Sequence, residues 1–383
     1  MIKIKTKELK DVLSKLNLAI EKSAFNPQSG WVQIKIDSSG SIVIKVANFD
    51  YYVETSFKTE NVSGENLFAT VEAETFVPLV SKISSEYIEL YKEDKALILK
   101  TKNNLYTFPM QINLATGEIS DVDAIEFNVD DYSTCELSEG EVTSIATVNA
   151  KGIGENSACK KIIQQFIYVD NLGAETFTDN IYVNGFKAHD VEFKFLLNKT
   201  QAKILSIFSG ITNIVVDVEN SKNDEEKRKV RFSGKNNDIE ISVVFITQAF
   251  NIVKQYPSAK LREIANKTIK THAIVDREEL NKALARLMVF DKKFGANVWD
   301  YSKIEWGENE FKLVSVKSKN YEVIPYIRSK NTYKHESVIR FADLVEQLKA
   351  FTSKEIDMSY GEAPVIVINA DELRQLIPEI IKK

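Results

Sequence analysis

The sequence predicts an α+β protein built from one short unit of secondary structure that recurs six times. Its clearest copy begins with Thr70–Ile83, a strand that runs into a helix with apolar residues three and four positions apart, the spacing of one helix face. Short strand-like segments follow at Tyr87–Leu90, Lys95–Lys100 and Asn104–Met110. The unit is therefore β-α-β-β-β. It returns about every 60–80 residues, which is typical of a repeated supersecondary unit.

The six copies are most easily recognised by their helices, of which the third is the least amphipathic. The predicted helices begin near Lys7, Glu72, Glu139, Lys199, Arg277 and Phe341. Taken in pairs, the units predict three similar domains, a number that suits a chain of 383 residues. The predicted domains are residues 1–113, 134–249 and 269–383, joined by linkers at 114–133 and 250–268.

Turn residues separate the predicted strands of each unit. In the first unit, Ala24–Gly30 reads as a loop, and Trp31–Ile36 and Ile42–Val46 flank Ser38–Gly40 as a hairpin. Phe49–Phe57 is the next strand. In the second domain, Asn220–Lys229 is a run of charged residues between two strands, which predicts a solvated hairpin tip.

Composition places the chain among ordinary globular proteins. It is 44% hydrophobic and 27% charged, with a formal net charge of −5. Its longest apolar runs, such as Ile211–Val218, are too short to span a bilayer, and the alternating N-terminus does not resemble a signal peptide. The two cysteines, Cys135 and Cys159, have no metal-ligand spacing. We therefore expect a cytoplasmic protein with reduced thiols.

No pattern of catalytic residues is present in the sequence. The three histidines, His189, His272 and His335, lie far apart, and the chain has no glycine-rich phosphate loop, G-x-S-x-G or H-E-x-x-H motif. Adjacent carboxylates such as Glu225 and Glu226 stand in polar runs that would not separate their pKa values. The sequence predicts a non-enzyme without cofactor or metal.

Charge and apolar surface give the remaining functional signals. The six predicted helices together carry a small positive charge while the rest of the chain is acidic. Lysines at helix C-termini are explained equally well by the helix dipole and by nucleic-acid contact. Apolar residues recur at Tyr256-Pro257 and at Leu376–Ile381, which suggests a groove for a partner peptide. The alternative is a last strand that closes the third domain, and both can hold together.

Several segments, in order along the whole chain, resemble the bacterial DNA polymerase III beta subunit, the sliding clamp. Met1–Leu16, the hairpin that follows it, Ala69–Ile83 and Leu105–Met110 resemble its first domain. Four further segments resemble its T-D-G-H-R-L-type motif, its F-P-x-Y linker, the start of its third domain and its closing M-P-M-type strand. They are Ile181–Ala188, Phe250–Leu261, Leu284–Phe294 and Leu376–Ile380.

The chain departs from the family pattern at the residues expected to bind partners. Phe186 stands where the family has histidine, and Lys187 stands where it has arginine. Glu379 replaces an apolar residue after Pro378, and a polar insert, Asn369–Gln375, precedes the closing strand. The resemblance is therefore to a divergent member, whose groove reads a somewhat different peptide.

The resemblance implies the DNA clamp fold, with three domains per chain and a head-to-tail dimer that closes into a ring. Duplex DNA would thread the ring without regard to sequence. A DNA polymerase and a clamp loader would bind through a short peptide motif, with no membrane involved. Weak phosphate contacts suffice for such a protein, because the ring is retained by topology. The alternative is a monomeric three-domain peptide-binding scaffold that does not encircle DNA.

Three sets of residues are expected to serve these roles. The DNA-facing set consists of cations on the repeat helices: Lys7, Lys10, Lys22, Lys82, Lys151, Lys199, Lys203, Lys282, Arg286 and Lys349. The partner groove consists of Gly185, Phe186, Lys187, Tyr256, Pro257, Leu261, Leu376, Ile377, Pro378 and Ile380. The dimer seam consists of Tyr106, Phe108, Met288, Val289 and Phe290.

Overall fold

The structure is a computed structural model. It describes residues 2–59, 64–127, 132–153, 161–178, 181–217, 225–267, 269–293, 301–330, 334–371 and 373–380, so Cys159 and parts of both predicted linkers lie outside the described residues. They form two compact units, Met1–Thr147 with Val191–Val253 and Val148–Asp190 with Lys254–Lys383. The division into three domains remains a prediction.

The regular elements follow one another in the order that the sequence predicts. The helices are α1 (Thr6–Leu16), α2 (Ala73–Lys82), α3 (Glu139–Thr143), α4 (Lys199–Ile204), α5 (Phe250–Val253), α6 (Ser258–Asn266), α7 (Arg277–Lys293) and α8 (Phe341–Leu348). None of the described helices is long and apolar enough to cross a membrane.

The strands are β1 (Ile2–Lys5), β2 (Trp31–Ile36), β3 (Ser41–Asn48), β4 (Tyr51–Lys58), β5 (Leu67–Glu72), β6 (Tyr87–Glu93), β7 (Ala96–Lys100), β8 (Leu105–Pro109), β9 (Tyr132–Leu137), β10 (Ile167–Asp170), β11 (Gly173–Phe177), β12 (Ile181–Gly185), β13 (Lys194–Leu197), β14 (Thr212–Asp217), β15 (Arg228–Asn236), β16 (Ile239–Thr247), β17 (Ile269–Asp276), β18 (Ser302–Trp306), β19 (Glu310–Val314), β20 (Tyr321–Pro325), β21 (Arg328–Ser329), β22 (His335–Ile339), β23 (Glu355–Gly361), β24 (Val365–Ala370) and β25 (Leu373–Pro378).

The predicted repeat is confirmed by this order of elements. A strand, a helix and three further strands recur from β1, β5, β9, β13, β17 and β22. The third helix, α3, is short and continues into a π-helical turn at Ser144–Asn149, in agreement with the weak amphipathic pattern of that copy. The elements α5, α6 and β21 stand outside the repeat.

In the first unit, neighbouring repeats exchange their leading strands. Strand β1 pairs with β6 in the sheet β1-β6-β7-β8, and β5 pairs with β2 in the sheet β5-β2-β3-β4-β16-β15-β14-β9. Each repeat therefore contributes its first strand to the sheet of the other. Because backbone hydrogen bonds cross between them, neither repeat forms its sheet alone.

The second unit shows the same exchange. Strand β17 pairs with β23 in a sheet that includes the series β12-β25-β24-β23-β17-β21, and β22 pairs with β18 in the sheet β20-β19-β18-β22. Strand β25 lies between β24 and β12, so the last strand is interior to its sheet. This arrangement brings the end of the chain beside residues almost two hundred positions earlier.

The helices pack through the apolar faces that the sequence predicts. In α1, Leu9, Val12, Leu13 and Leu16 are buried, and the helix packs against α2. In α7 and α8, most predicted core positions are likewise buried: Leu280, Ala283, Leu284, Leu287, Phe341, Leu344 and Leu348; Val345 is half-buried. The opposite faces of the helices carry most of the predicted DNA-facing cations.

Candidate functional site

Most predicted DNA-facing cations are exposed, and the structure separates them into two classes. Six make no ion pair with any described residue. Five of these are exposed and Lys10 is half-buried. The six are Lys7, Lys10, Lys82, Lys151, Lys199 and Lys203. Free ammonium groups on helix surfaces are the form in which lysine contacts phosphate most readily.

The other four cations already have carboxylate partners. Lys22 bonds to Glu74 at 2.6 Å, Lys282 lies 3.5 Å from Glu278, and Lys349 lies 2.6 Å from Glu346. All are exposed pairs of small energetic value, so each cation remains able to exchange partners. Their contribution to binding an anion is nevertheless reduced, because the carboxylate must be displaced or repelled.

Arg286 is the most firmly held of the four. Its Nε and Nη2 donate to the two carboxylate oxygens of Glu322 at 2.8 and 2.9 Å, and this hydrogen bonding lowers the pKa of Glu322. Two parallel bonds fix the guanidinium on strand β20. Arg286 is therefore the weakest member of the predicted DNA-facing set.

On the first unit, strand β8 carries part of the predicted seam. It pairs with β7 and with no other named strand among the described residues, so its outer edge is available for pairing. Phe108 is only 7% exposed, and its ring packs edge-on against Phe76 at 5.2 Å. Phe108 therefore offers little apolar area to a partner, because its own core uses that area, and its place in the seam stays a prediction. Leu105, at 56% exposure, presents apolar surface on the same strand, while Tyr106 is half-buried.

On the second unit, the end of α7 carries the other predicted seam residues. Val289 and Phe290 are 69% and 48% exposed, whereas Met288 packs partly against the core. Helix α7 contacts β20, another edge strand, where Tyr321 is 58% exposed and Val323 is also exposed. Sequence reasoning missed Tyr321 and Val323. The sequence signal for them is that β20 carries apolar residues on both faces: Ile324 lies on the buried face, so Tyr321 and Val323 lie on the exposed one.

The predicted partner groove lies within the second unit, around strands β12 and β25. Ile181 lies opposite Leu376 and Asn184 opposite Leu373 in antiparallel register, and α6 packs against β12. Gly173 makes close strand approach possible, because a Cβ there would lie 2.0 Å from the Asn184 carbonyl oxygen. The C-terminal strand is thus brought beside the strand end that carries Gly185.

The groove residues divide between surface and core. Gly185, Lys187 and Pro378 are exposed, and Phe186, Pro257 and Ile380 are half-buried. Four other predicted members, Tyr256, Leu261, Leu376 and Ile377, are buried. The buried four do not offer contact surface in this structure; they support the residues that do.

The contacts of Tyr256 show why this predicted groove residue is buried in the core. Its ring stacks on Tyr168 at 4.9 Å, meets Phe177 edge-on at 5.2 Å, and its hydroxyl donates to the Glu175 carbonyl at 2.8 Å. Stacked and edge-on aromatic pairs of this kind stabilise beyond the area that they bury. Tyr256 therefore anchors the segment before α6 to strands β10 and β11.

A buried ionic cluster holds α6 to the same strands. Arg262 donates to both oxygens of Asp170 at 2.9 and 2.7 Å and also pairs with Glu175. Ser258 Oγ donates to Glu175 at 3.0 Å. Burial raises the pKa of Glu175 to about 7, although Arg262 opposes the shift. Removing one member would leave an uncompensated buried charge, which is strongly destabilising.

Glu379, the residue that departs from the family pattern, faces inward. Its Oε1 accepts a hydrogen bond from Ser337 Oγ at 2.8 Å and lies 3.3 Å from His335 Nε2. Trp306 Nε1 in turn donates to Ser337 Oγ at 2.9 Å. The carboxylate therefore fixes the C-terminal segment to β22 and β18, and this internal role accounts for a charged residue at that position.

One cluster contains the residue types of a hydrolytic triad but not its geometry. Asp357 Oδ2 lies 2.9 Å from His272 Nδ1, and Ser359 Oγ lies 3.3 Å from the same nitrogen. A triad requires the acid and the nucleophile on opposite ring nitrogens. Among the residues that the structure describes, no cluster of three or more histidine, cysteine or acidic residues could hold a metal ion.

Comparison with known proteins identifies the fold. No protein-family model and no curated protein matches the sequence. The structure, however, is similar over its whole length to solved DNA polymerase III beta subunits. That of Thermotoga maritima has a TM-score of 0.74 at 17% identity, covering 100% of this chain and 99% of that one. The sliding clamp of Pseudomonas aeruginosa, bound to griselimycin, has a TM-score of 0.78 at 10% identity with the same coverage.

The beta clamp of Helicobacter pylori, bound to a DNA ligase peptide, has a TM-score of 0.69 at 13% identity and covers 99% of each chain. Similarity along the full length, together with six β-α-β-β-β units in the expected order, confirms the DNA clamp fold that the sequence resemblance implied. The chain has the fold of the bacterial DNA polymerase III beta subunit, the sliding clamp.

Proposed function

We propose that this protein is a DNA sliding clamp, a non-catalytic cytoplasmic processivity factor that encircles duplex DNA and tethers a polymerase during replication. The observation that carries the proposal is the full-length match to solved clamps, end to end in both chains. A ring built from such repeats stays on DNA because it is closed around the duplex, and it does not need to bind the duplex tightly. Such a protein needs no cofactor.

The ring forms when two copies associate head to tail. The exposed edge of β8 with Leu105 and Tyr106 on one copy meets the edge of β20 with α7, which carries Val289 and Phe290, on the other. Two unpaired strand edges flanked by apolar residues favour pairing, and a head-to-tail contact that closes makes a ring. Burial of Phe108 leaves both edges in place.

DNA contacts come from the repeat helices and are weak and independent of sequence. The unpaired lysines, such as Lys7 and Lys199, supply most of the attraction to phosphate, and each contact adds to the salt dependence of binding. Strong contacts would slow sliding. A few exposed lysines in an acidic protein therefore fit this function.

Partners bind as short peptides beside β12 and β25. Two of the structurally similar clamps hold a DNA ligase peptide and griselimycin. In this chain the accessible groove residues are Phe186, Lys187, Pro257, Pro378 and Ile380. An Ile380→Ala variant tests the groove: we expect polymerase affinity to fall while the melting temperature stays close to wild type. Unchanged affinity would remove Ile380 from the groove.

The decisive experiment combines solution mass with retention on DNA. Light scattering should give twice the chain mass of 43.5 kDa, and protein loaded by a clamp loader should remain on circular DNA and slide off after linearisation. A monomer that dissociates equally from both DNAs would contradict the proposal and favour the peptide-binding scaffold.

A further inference from the structure

A surface cavity of about 630 Å³ lies beside the partner groove, within the second unit. It is enclosed by α6, by the end of β12 and by the hairpin of β24 and β25. Val183 and Ala265 give it an apolar floor, while Asn184, Asn266 and Arg374 give it polar walls. Gly185 lines the cavity and also belongs to the predicted groove, so the two are continuous, yet no other groove residue lines the cavity.

Arg374 carries the one positive charge on the cavity wall that has no described carboxylate partner. Its Nη1 donates to the Ala265 carbonyl at 2.9 Å and to Asn266 Oδ1 at 2.8 Å, and its Nε donates to Asn369 Oδ1 at 2.9 Å. These acceptors are all neutral. The Nη2 amino group has no acceptor among the described residues, so one edge of the guanidinium remains available to a ligand.

None of the neighbouring acidic groups hydrogen-bonds to Arg374, because each accepts from other donors. Asp170 accepts from the Leu172 and Gly173 amides and from both terminal nitrogens of Arg262. Glu175 also pairs with Arg262 and with Ser258.

Asp371, at the tip of the β24–β25 hairpin, accepts from the amides and hydroxyls of Thr352 and Ser353. Arg262 is committed to Asp170 and Glu175. Arg374 is therefore the cation on the cavity wall whose described hydrogen bonds all go to neutral acceptors.

We propose that this cavity binds an acidic side chain of the partner peptide, with its carboxylate on Arg374. The inference rests on the proposed function, since it adds a charged subsite to the peptide groove. A planar guanidinium with a free edge suits a carboxylate. The amides of Asn184 and Asn266 offer donors to its second oxygen, and the apolar floor accommodates its methylene groups. Continuity through Gly185 lets one extended peptide reach both places.

The test uses the full-length protein and two matched sets of fluorescein-labelled peptides. Each peptide carries a central Leu-Phe pair as apolar anchor. In one set, each peptide bears a single Asp, placed at one of the three positions on either side of the anchor. The other set bears Asn at the same positions. Anisotropy should show one position at which Asp binds roughly tenfold or more tighter than Asn, as expected for a charged hydrogen bond.

Variants of Arg374 assign that gain to the cavity. Arg374→Gln should abolish the preference for Asp while leaving the Asn peptides unaffected, and Arg374→Lys should retain part of it. Arg328→Gln is the matched control, because Arg328 is an exposed arginine of the same unit that pairs with Glu355 at 3.1 Å. Melting curves check that Arg374→Gln, which removes a bond to the end of α6, remains folded.

The outcomes separate the inference from the proposed function. Equal binding of Asp and Asn peptides at every position would overturn the acidic subsite and leave the groove intact. Equal loss of both sets in Arg374→Gln would also overturn it, since Arg374 would then act through the fold. If neither set binds the wild-type protein, both the groove and the subsite are wrong.

Discussion

Helices α1 and α7 occupy the same place in their repeats, yet the structure equips them differently. Both bury four apolar residues at the same spacing. In α1, Lys7 and Lys10 make no ion pair with any described residue. In α7, Lys282 and Arg286 are held by Glu278 and Glu322.

Helix α7 also extends beyond its core face. It is 17 residues long against 11 for α1, and the extension exposes Val289 and Phe290. We therefore propose that one repeated helix serves two tasks, DNA contact in α1 and subunit association in α7.

The largest expected effect comes from charging the apolar end of α7. A Val289→Asp, Phe290→Asp double variant should be monomeric, because each buried apolar side chain contributes about 1.5–3 kcal/mol to association and each new carboxylate would need desolvation. Sedimentation at micromolar concentration measures this. Phe25→Asp, which changes an exposed phenylalanine of the first unit, should remain dimeric. A dimeric double variant would refute the role given to α7.

The buried faces should respond alike. Leu9→Ala in α1 and Leu280→Ala in α7 each remove a fully buried side chain, and each should lower the free energy of unfolding by about 2–5 kcal/mol. Chemical denaturation of the two variants gives the comparison. If only one of them loses stability, then the two helices do not share an equivalent packing role.

The exposed faces should respond differently. A Lys7→Ala, Lys10→Ala variant should reduce the slope of log affinity for DNA against log salt by nearly two, about 0.9 for each lost phosphate contact. A Lys282→Ala, Arg286→Ala variant should change the slope by less than one, because its cations are already paired. Titrations of duplex DNA at several salt concentrations measure both. Equal changes in slope would contradict the division of tasks.

The smallest effect is expected from releasing Arg286. Glu322→Gln removes its charged partner and should slightly strengthen DNA binding at neutral pH. Because Arg286 lowers the pKa of Glu322, the wild-type pair persists above that pKa and is lost as the pH falls through it. Wild type and variant should therefore converge only in acid. Glu278→Gln, which removes the partner of Lys282 on the same face of α7 as Arg286, serves as the comparison. Weaker DNA binding by Glu322→Gln would contradict the view that Glu322 holds Arg286 back from DNA.

Local sequence pattern was sufficient for the repeat and for its helices. Most of the apolar residues that predicted α1, α2, α7 and α8 are buried, while Ile20, Leu79 and Val345 are half-buried. The reason is geometric: helix periodicity is set within a few residues, so the spacing of the apolar residues identifies the buried face. The same holds for the alternating strands, and six copies of one pattern reinforced each other.

Site residues were harder to predict because their surroundings come from distant parts of the chain. Phe108 and Tyr106 point to the same face of β8, yet Phe108 is buried and packs against Phe76, whereas Tyr106 is half-buried. The sequence predicted Tyr256 as groove surface, but in the structure its ring is stacked on Tyr168. The sequence suggested that Glu379 alters the contact with a partner, but in the structure its carboxylate contacts Ser337 and His335.

By itself, the sequence determined the α+β class, the sixfold unit and the faces of the helices. Tertiary structure decided which surface residues remain available: it paired Arg286 with Glu322, 36 positions away, and left Lys7 without an ion pair to any described residue. It also brought Arg374 to Ala265 and Asn266, more than a hundred positions earlier. Backbone periodicity acts over one or two turns, whereas charge pairing and burial depend on which elements meet, and that is settled only when the sheets assemble.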